Sequence, residues 1–345
     1  MIASHSTRPP SGKISRRTLL IEGLAAVGIG TAGALLRNHL HDRSHKSRVF
    51  IAKAGSYEAD LVSPILAGLR GLGIGPKEVR GKRILLKPNF VETQRGTIHI
   101  CTRPEVVFAA VEVFRKLGAA AVLVGEASGH CRDTDRVLDE AAMTEPLVEN
   151  KTPFVDLNND DLVIKPNAGG RTSLATLTLP AVVDQVDWIV SMPKMKTHHW
   201  VGATLSMKNL FGLMPGIVYG WPKNVLHWAG IEEAVLDINA TVRPHLAIVD
   251  GIIGMEGDGP IVGTPKPAGV LVLGRDLAAV DATAARIMGI DPLKMTYLKY
   301  AHGRLGTILA ERILQRGETI AAVRTDFQLL DTIPAHRGLR LTERV

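Results

Sequence analysis

The sequence predicts an α/β fold: a mostly parallel central sheet with helices on both faces. A smaller mixed or antiparallel β section is expected in the middle of the chain. Three observations predict this. Short apolar runs alternate with helix-patterned segments from residue 48 onward. Several of those runs are uninterrupted Val, Ile, Leu and Ala, as in strands covered on both faces. Glycine is plentiful at 34 of 345 residues while aromatics make up 4%, which fits many tight connections around an aliphatic core. The length suits one domain over 48–345, or two lobes of one domain.

The elements follow in order. RVFIAKA is a strand, and EADLVSPILAGLRGLG is a helix closed by glycines. KRILLKPNF is a strand that ends at Lys87-Pro88-Asn89. Pro104 opens the helix PEVVFAAVEVFRKLG at a position where its missing N–H costs nothing. AAVLVGEASG is a buried strand and DTDRVLDEAAM a helix. PFVDLN, DLVIKP and RTSLATLTLP form the middle β section. DWIVSMPKM is read as one strand, followed by a helical TLSMKNLFGLM. HLAIVDGIIG and AGVLVLG are buried strands, and Asp276 caps the helix LAAVDATAARIMG.

The first residues look like an address. A basic stretch, KISRRTLLI, precedes an apolar Gly/Ala-rich run from Leu19 to Leu36. Ser15-Arg16-Arg17-x-Leu19-Leu20 resembles the twin-arginine export signal, and Ala32-Gly33-Ala34 is a cleavage candidate. Residues 1–36 are thus expected to be a signal peptide and 37–47 a linker. The twin-arginine export machinery is the expected partner and the location extracytoplasmic or periplasmic. An uncleaved signal would be the chain's one membrane anchor. Part of the +7 net charge lies in this leader, so the basic balance does not argue for nucleic acid. The two cysteines, Cys101 and Cys131, make no CxxC, which excludes an iron–sulfur cluster. They either pair or stay free.

Residues with chemistry gather at strand ends, where open α/β sheets bind ligands. Lys87 and Asn89 end one strand, and Lys194 and Lys196 are expected to end another on one face. Lys208 lies four residues after Thr204, and Asn209 follows it. Cations among apolar neighbours, oriented by amides and hydroxyls, make a pocket for a carboxylate or phosphate. Glu126 and Ser128, after the strand VLVGE, could line the same crevice. His198 is a candidate general base, or else a hydrogen-bonded structural histidine. Asp250, Glu256 and Asp258 are separated by glycines and are candidates for a divalent cation, with Asp250 also a proton-handling group. Asp281, on an apolar helix, is a further catalytic candidate and needs a partner, and a lysine of the cluster is expected. The glycines of GEASGH, Gly125 to His130, make no GxGxxG fingerprint, and no Walker A or GxSxG pattern occurs in the chain, which disfavours dinucleotide, P-loop and α/β-hydrolase chemistry.

The pieces LLKPNFV, TRPEVV, VLVGEASG, PKMKTHHWVGATLSMKNLFG, VDGIIGMEGDGP and LAAVDATAARIMG occur in order over about residues 48–290. Together they resemble the domain of unknown function 362 family. Many members of that family carry an added ferredoxin-like iron–sulfur domain, whose cysteines this chain lacks. A fainter likeness, in TRPEVV and the glycine-rich strand end after it, is to nickel-dependent lactate racemases and concerns fold alone. The expected function is an exported enzyme or enzyme-like protein acting on an anionic small molecule, with a divalent cation as its candidate cofactor. Two alternatives stand beside it. One is a non-catalytic extracytoplasmic binding protein for an anion or metal complex. The other is a scaffold whose lysines pair internally.

Overall fold

Among the described residues, twelve strands carry the architecture: β1 (Ser47–Lys53), β2 (Arg83–Lys87), β3 (Ala121–Glu126), β4 (Phe154–Asp156), β5 (Leu162–Pro166), β6 (Thr176–Pro180), β7 (Trp188–Ser191), β8 (Lys194–His198), β9 (Gly202–Thr204), β10 (Leu246–Glu256), β11 (Thr264–Gly274) and β12 (Ile313–Gly317). The structure, a computed structural model, describes residues 46–92, 96–129 and 133–342. The expected signal peptide, nearly all of the linker and Cys131 lie outside the described residues, and Cys101 is a buried free thiol. Among the described residues no helix is long and apolar enough to cross a membrane.

Ten strands form the main sheet, in the order β12-β1-β11-β10-β7-β2-β3-β4, with β8 and β9 branching from β10. The stretch β10-β7-β2-β3-β4 is parallel throughout. The long hairpin β10–β11 and the β1–β11 pair are antiparallel. β5 and β6 form a separate antiparallel pair, which is the expected middle section. β4 does not join it; Phe154–Asp156 extends the main sheet as its parallel edge.

Strand residues divide by parity between two cores, as the pleat requires. Leu85, Val249 and Val272 enter one core, while Ile84, Leu86, Ile248 and Leu271 enter the other. The second core is covered by α1 (Val62–Gly71) and α2 (Pro104–Lys116). The first is covered by α3 (Ile231–Val242) and α4 (Leu277–Ile287). Pro104 sits in the first turn of α2, and Asp276 caps α4 by accepting from Ala279 N at 3.0 Å, both as the sequence predicts.

The segment DWIVSMPKM is two strands rather than one. The chain breaks at Met192-Pro193. β10 pairs first with β7 and then, in the same register, with β8 at Lys194, the register shifting only between Asp250 and Met255. Proline has no N–H to give a ladder, so the strand cannot run through it. The break carries Lys194 and Lys196 past the parallel strand ends and buries both completely.

Candidate functional site

The C-terminal ends of β2 and β3 deliver a lysine and a glutamate to one point. Lys87 Nζ lies 2.7 Å from Glu126 Oε2, and both side chains are almost wholly buried. Glu126 is fully used, since it also accepts from Phe90 N (2.8 Å) and Ala127 N (3.0 Å). Burial pushes the Lys87 ammonium down and the Glu126 carboxyl up, and their mutual attraction opposes both shifts. Asn209 braces the pair. Its Oδ1 accepts from Lys87 Nζ at 3.2 Å and from Asn89 Nδ2 at 3.1 Å. Its Nδ2 donates to Lys87 O and Ser191 Oγ at 3.0 and 3.1 Å. Among the described residues Asn89 Oδ1 is buried without a hydrogen-bond partner.

This group floors a pocket of about 250 Å³. Thr204, Lys208, His198 and His199 form one side, and Lys223, His227 and Pro260 complete it. Lys208 stands on a single helical turn, Ser206–Asn209, too short to hold itself together. Asp281 holds it from α4. The carboxylate accepts from Ser206 N (2.7 Å), Met207 N (3.0 Å) and Ser206 Oγ. Tyr297 OH adds a bond at 3.3 Å. No lysine pairs with Asp281, contrary to expectation. Backbone N–H groups at the start of the turn already match the carboxylate. Burial raises the Asp281 carboxyl to about 7 against those bonds. It is a positioning group behind the pocket rather than a member of its lining.

Lys208 has no carboxylate partner among the described residues. Its ammonium rests 3.9 Å from the centre of the Phe211 ring. Lys223 is 3% exposed and donates to Asn158 Oδ1 at 2.9 Å. Burial lowers both ammonium groups to about 7; Lys196 and Lys87 add to the effect at Lys208, while at Lys223 Glu126 and Asp156 oppose it and Lys87 adds to it. Burial also drives His198 well below its usual range, with Lys208 adding to the effect, so the imidazole is neutral. Its Nδ1 accepts from Trp200 N at 3.1 Å, which puts the proton on Nε2. His198 therefore offers a donor, not the free lone pair of a general base. His199 also lines the pocket because it sits in the turn after β8.

Lys194 and Lys196 belong elsewhere. Lys194 Nζ meets Asp250 Oδ2 at 2.6 Å and Tyr57 OH at 2.8 Å, all behind the pocket. Tyr57 OH also bonds Asp250 Oδ1 at 3.0 Å, and burial with the adjacent carboxylate raises the phenol. Lys196 donates to Ile100 O at 2.9 Å, and burial lowers it to about 8. The expected metal trio is not assembled. Asp250 is spent on Lys194, Tyr57 and Arg103 N. Glu256 accepts from Gln328 N and pairs with Lys266, while Asp258 lies 3.7 Å from His199. Among the described residues no group of three His, Cys, Asp or Glu side chains could hold a metal ion. Sequence reading missed Lys223, His227 and Tyr57. The stretch GWPKNVLHW mixes cations with aromatics much as KMKTHHW does, and that shared texture was the available signal.

A thylakoid-associated protein of Synechocystis sp. is 29% identical over an alignment 276 residues long that covers 75% of this chain and 79% of the relative. The lactate racemase apoprotein of Thermoanaerobacterium thermosaccharolyticum superposes with a TM-score of 0.41 at 18% identity, over 71% of this chain. A protein of Thermotoga maritima gives a TM-score of 0.37 at 11% identity, over 68%. The chain spans 57% and 59% of these two solved chains. The family model described as domain of unknown function (DUF362) matches residues 84–286, more than half of the chain, and the protein belongs to that family.

Proposed function

We propose that the protein is an exported, enzyme-like member of its family whose pocket takes a small carboxylate or phosphate. The charge balance of the pocket wall carries this reading. Glu126 cancels Lys87, while Lys208 and Lys223 stand in the same wall without a carboxylate bonded to either. Two cations, Lys223 buried and Lys208 half-buried, whose protons are already loosened by their desolvation gain most from an anion between them. Asn89 supplies an orienting amide and His198 an Nε2–H donor. A lysine whose ammonium gives up its proton near pH 7 is suited to moving a proton at the bound anion, while the His198 Nε2–H orients that anion. The candidate cation ligands are engaged in other contacts, so the anion itself is the proposed ligand.

Isothermal titration with inorganic phosphate and with short-chain hydroxycarboxylates tests this. Replacing Lys208 with methionine should weaken binding roughly ten- to hundredfold, the value of one charged hydrogen bond. An unchanged affinity, or no binding by the wild-type chain, overturns the proposal. The pH dependence has a definite sign. A lysine lowered to about 7 carries its charge below that pH and loses it above. Affinity should therefore fall as pH rises from about 6 to about 8, and more gently in Lys208→Met. A ligand recovered unchanged after long incubation would favour the binding-protein alternative. Export rests on Arg16 and Arg17. Changing both to lysine should leave the protein in the cytoplasmic fraction; unchanged export would remove that part of the reading.

A further inference from the structure

A second cavity, of about 490 Å³, lies on the other side of the turn that carries Lys208. Its walls come from the loop after β5, the C-terminal half of α3, the start of α4 and the segment Tyr300–Leu305. Four arginines line it, Arg171, Arg243, Arg275 and Arg304, and no carboxylate does. Like-charged guanidiniums do not gather around a cavity without cost, since each repels the others.

The arrangement is built rather than loose. Asp237, fully buried on α3, accepts from Arg171 N (2.8 Å), Thr172 N (2.9 Å), Thr172 Oγ1 (2.7 Å) and Asn167 Nδ2 (2.7 Å). Gly169 lets the loop press onto it, since a Cβ there would lie 2.3 Å from Asp237 Oδ1. Arg171 is thus set in place and lies over the Tyr300 ring at 5.6 Å. Arg275 is held by Glu78 and by the Trp188 ring, 5.2 Å away. Arg243 ends α3 at φ 52°, a position that helices usually give to glycine or asparagine. The side chains of Arg243 and Arg304 make no hydrogen bond or ion pair among the described residues.

We propose that this cavity binds a small molecule bearing two or more phosphate charges, with Arg171, Arg243 and Arg304 gripping its oxygens. The planar fork of each guanidinium matches phosphate oxygens two at a time, and the volume falls in the range of ligand sites. Its charge and position separate it from the lysine pocket. Asn239 Nδ2, in its wall, bonds Met207 O at 3.0 Å and so joins the two through one turn.

The test is calorimetric titration with inorganic pyrophosphate at low salt, in the wild-type chain and in Lys208→Met. Both should bind, and the Lys208→Met chain should keep one site. In that background Arg243→Ala and Arg304→Ala should each weaken binding roughly tenfold or more, and added salt should weaken it further. Both side chains are exposed, so an unchanged melting temperature shows that the fold survives. Binding that vanishes with Lys208→Met alone, or survives both arginine changes, overturns the proposal. So does binding seen only with anionic phospholipid vesicles and not with free pyrophosphate.

Discussion

Gly212→Ala should lower stability by about 3–5 kcal/mol, the cost of breaking a buried ion pair. A Cβ at Gly212 would lie 2.0 Å from Glu126 Oε1 and 2.3 Å from Lys87 Nζ. Neither group can swing aside. Lys87 is fully buried and bonded to Pro88 O, Glu126 and Asn209, and Glu126 also holds two backbone N–H groups. The turn Leu210–Leu213 must lift instead, which strains the bond from Ala127 N to Gly212 O. A melting temperature roughly 10 °C lower and loss of anion binding are expected together. Gly55→Ala is the control, because nothing lies within 4 Å of its added Cβ. A Gly212→Ala chain that melts with the wild type would show that the pair is not packed as described.

The second large effect concerns Asp250. Its carboxylate and the Lys194 ammonium are both fully inaccessible and 2.6 Å apart. Asp250→Ala leaves that ammonium beside Tyr57 OH alone, and again about 3–5 kcal/mol is the expected loss in urea unfolding. The double change Lys194→Met with Asp250→Ala should recover part of it, since the unpaired charge is gone. A double variant no more stable than Asp250→Ala would place the effect in the backbone bonds to Arg103 N and Ile252 N instead. Anion binding should persist in any folded fraction, because this pair lies outside the pocket lining.

Much of this was legible in the sequence. RILLK states a strand and its end, and the lysine found there does floor the pocket. TLSMKNLFGLM does turn helical, and Thr204 and Lys208 share a wall even though Thr204 stands on β9. What failed depended on partners far along the chain. Lys194 looked like a ligand-binding cation because its counter-ion, Asp250, lies 56 residues away. Asp281 looked as if it needed a lysine because nothing local shows that Leu205 leaves the next turn uncapped. Asp250, Glu256 and Asp258 are near in sequence, yet each meets a different partner in the fold. Spacing reports which residues can be neighbours, and the ordering of the sheet decides which ones are.

That dependence has a consequence for how the protein reaches its working form. The turn that presents Lys208 is fastened by Asp281, 75 residues later, and Asn209 reaches Lys87 across 122 residues. Each closure has to overcome the entropy of a long intervening loop before its bonds form. The pocket is therefore a late product of folding, complete only once α4 has docked. A chain halted before residue 281 carries β1 to β11 and every pocket lysine but no fastener for the turn that presents Lys208.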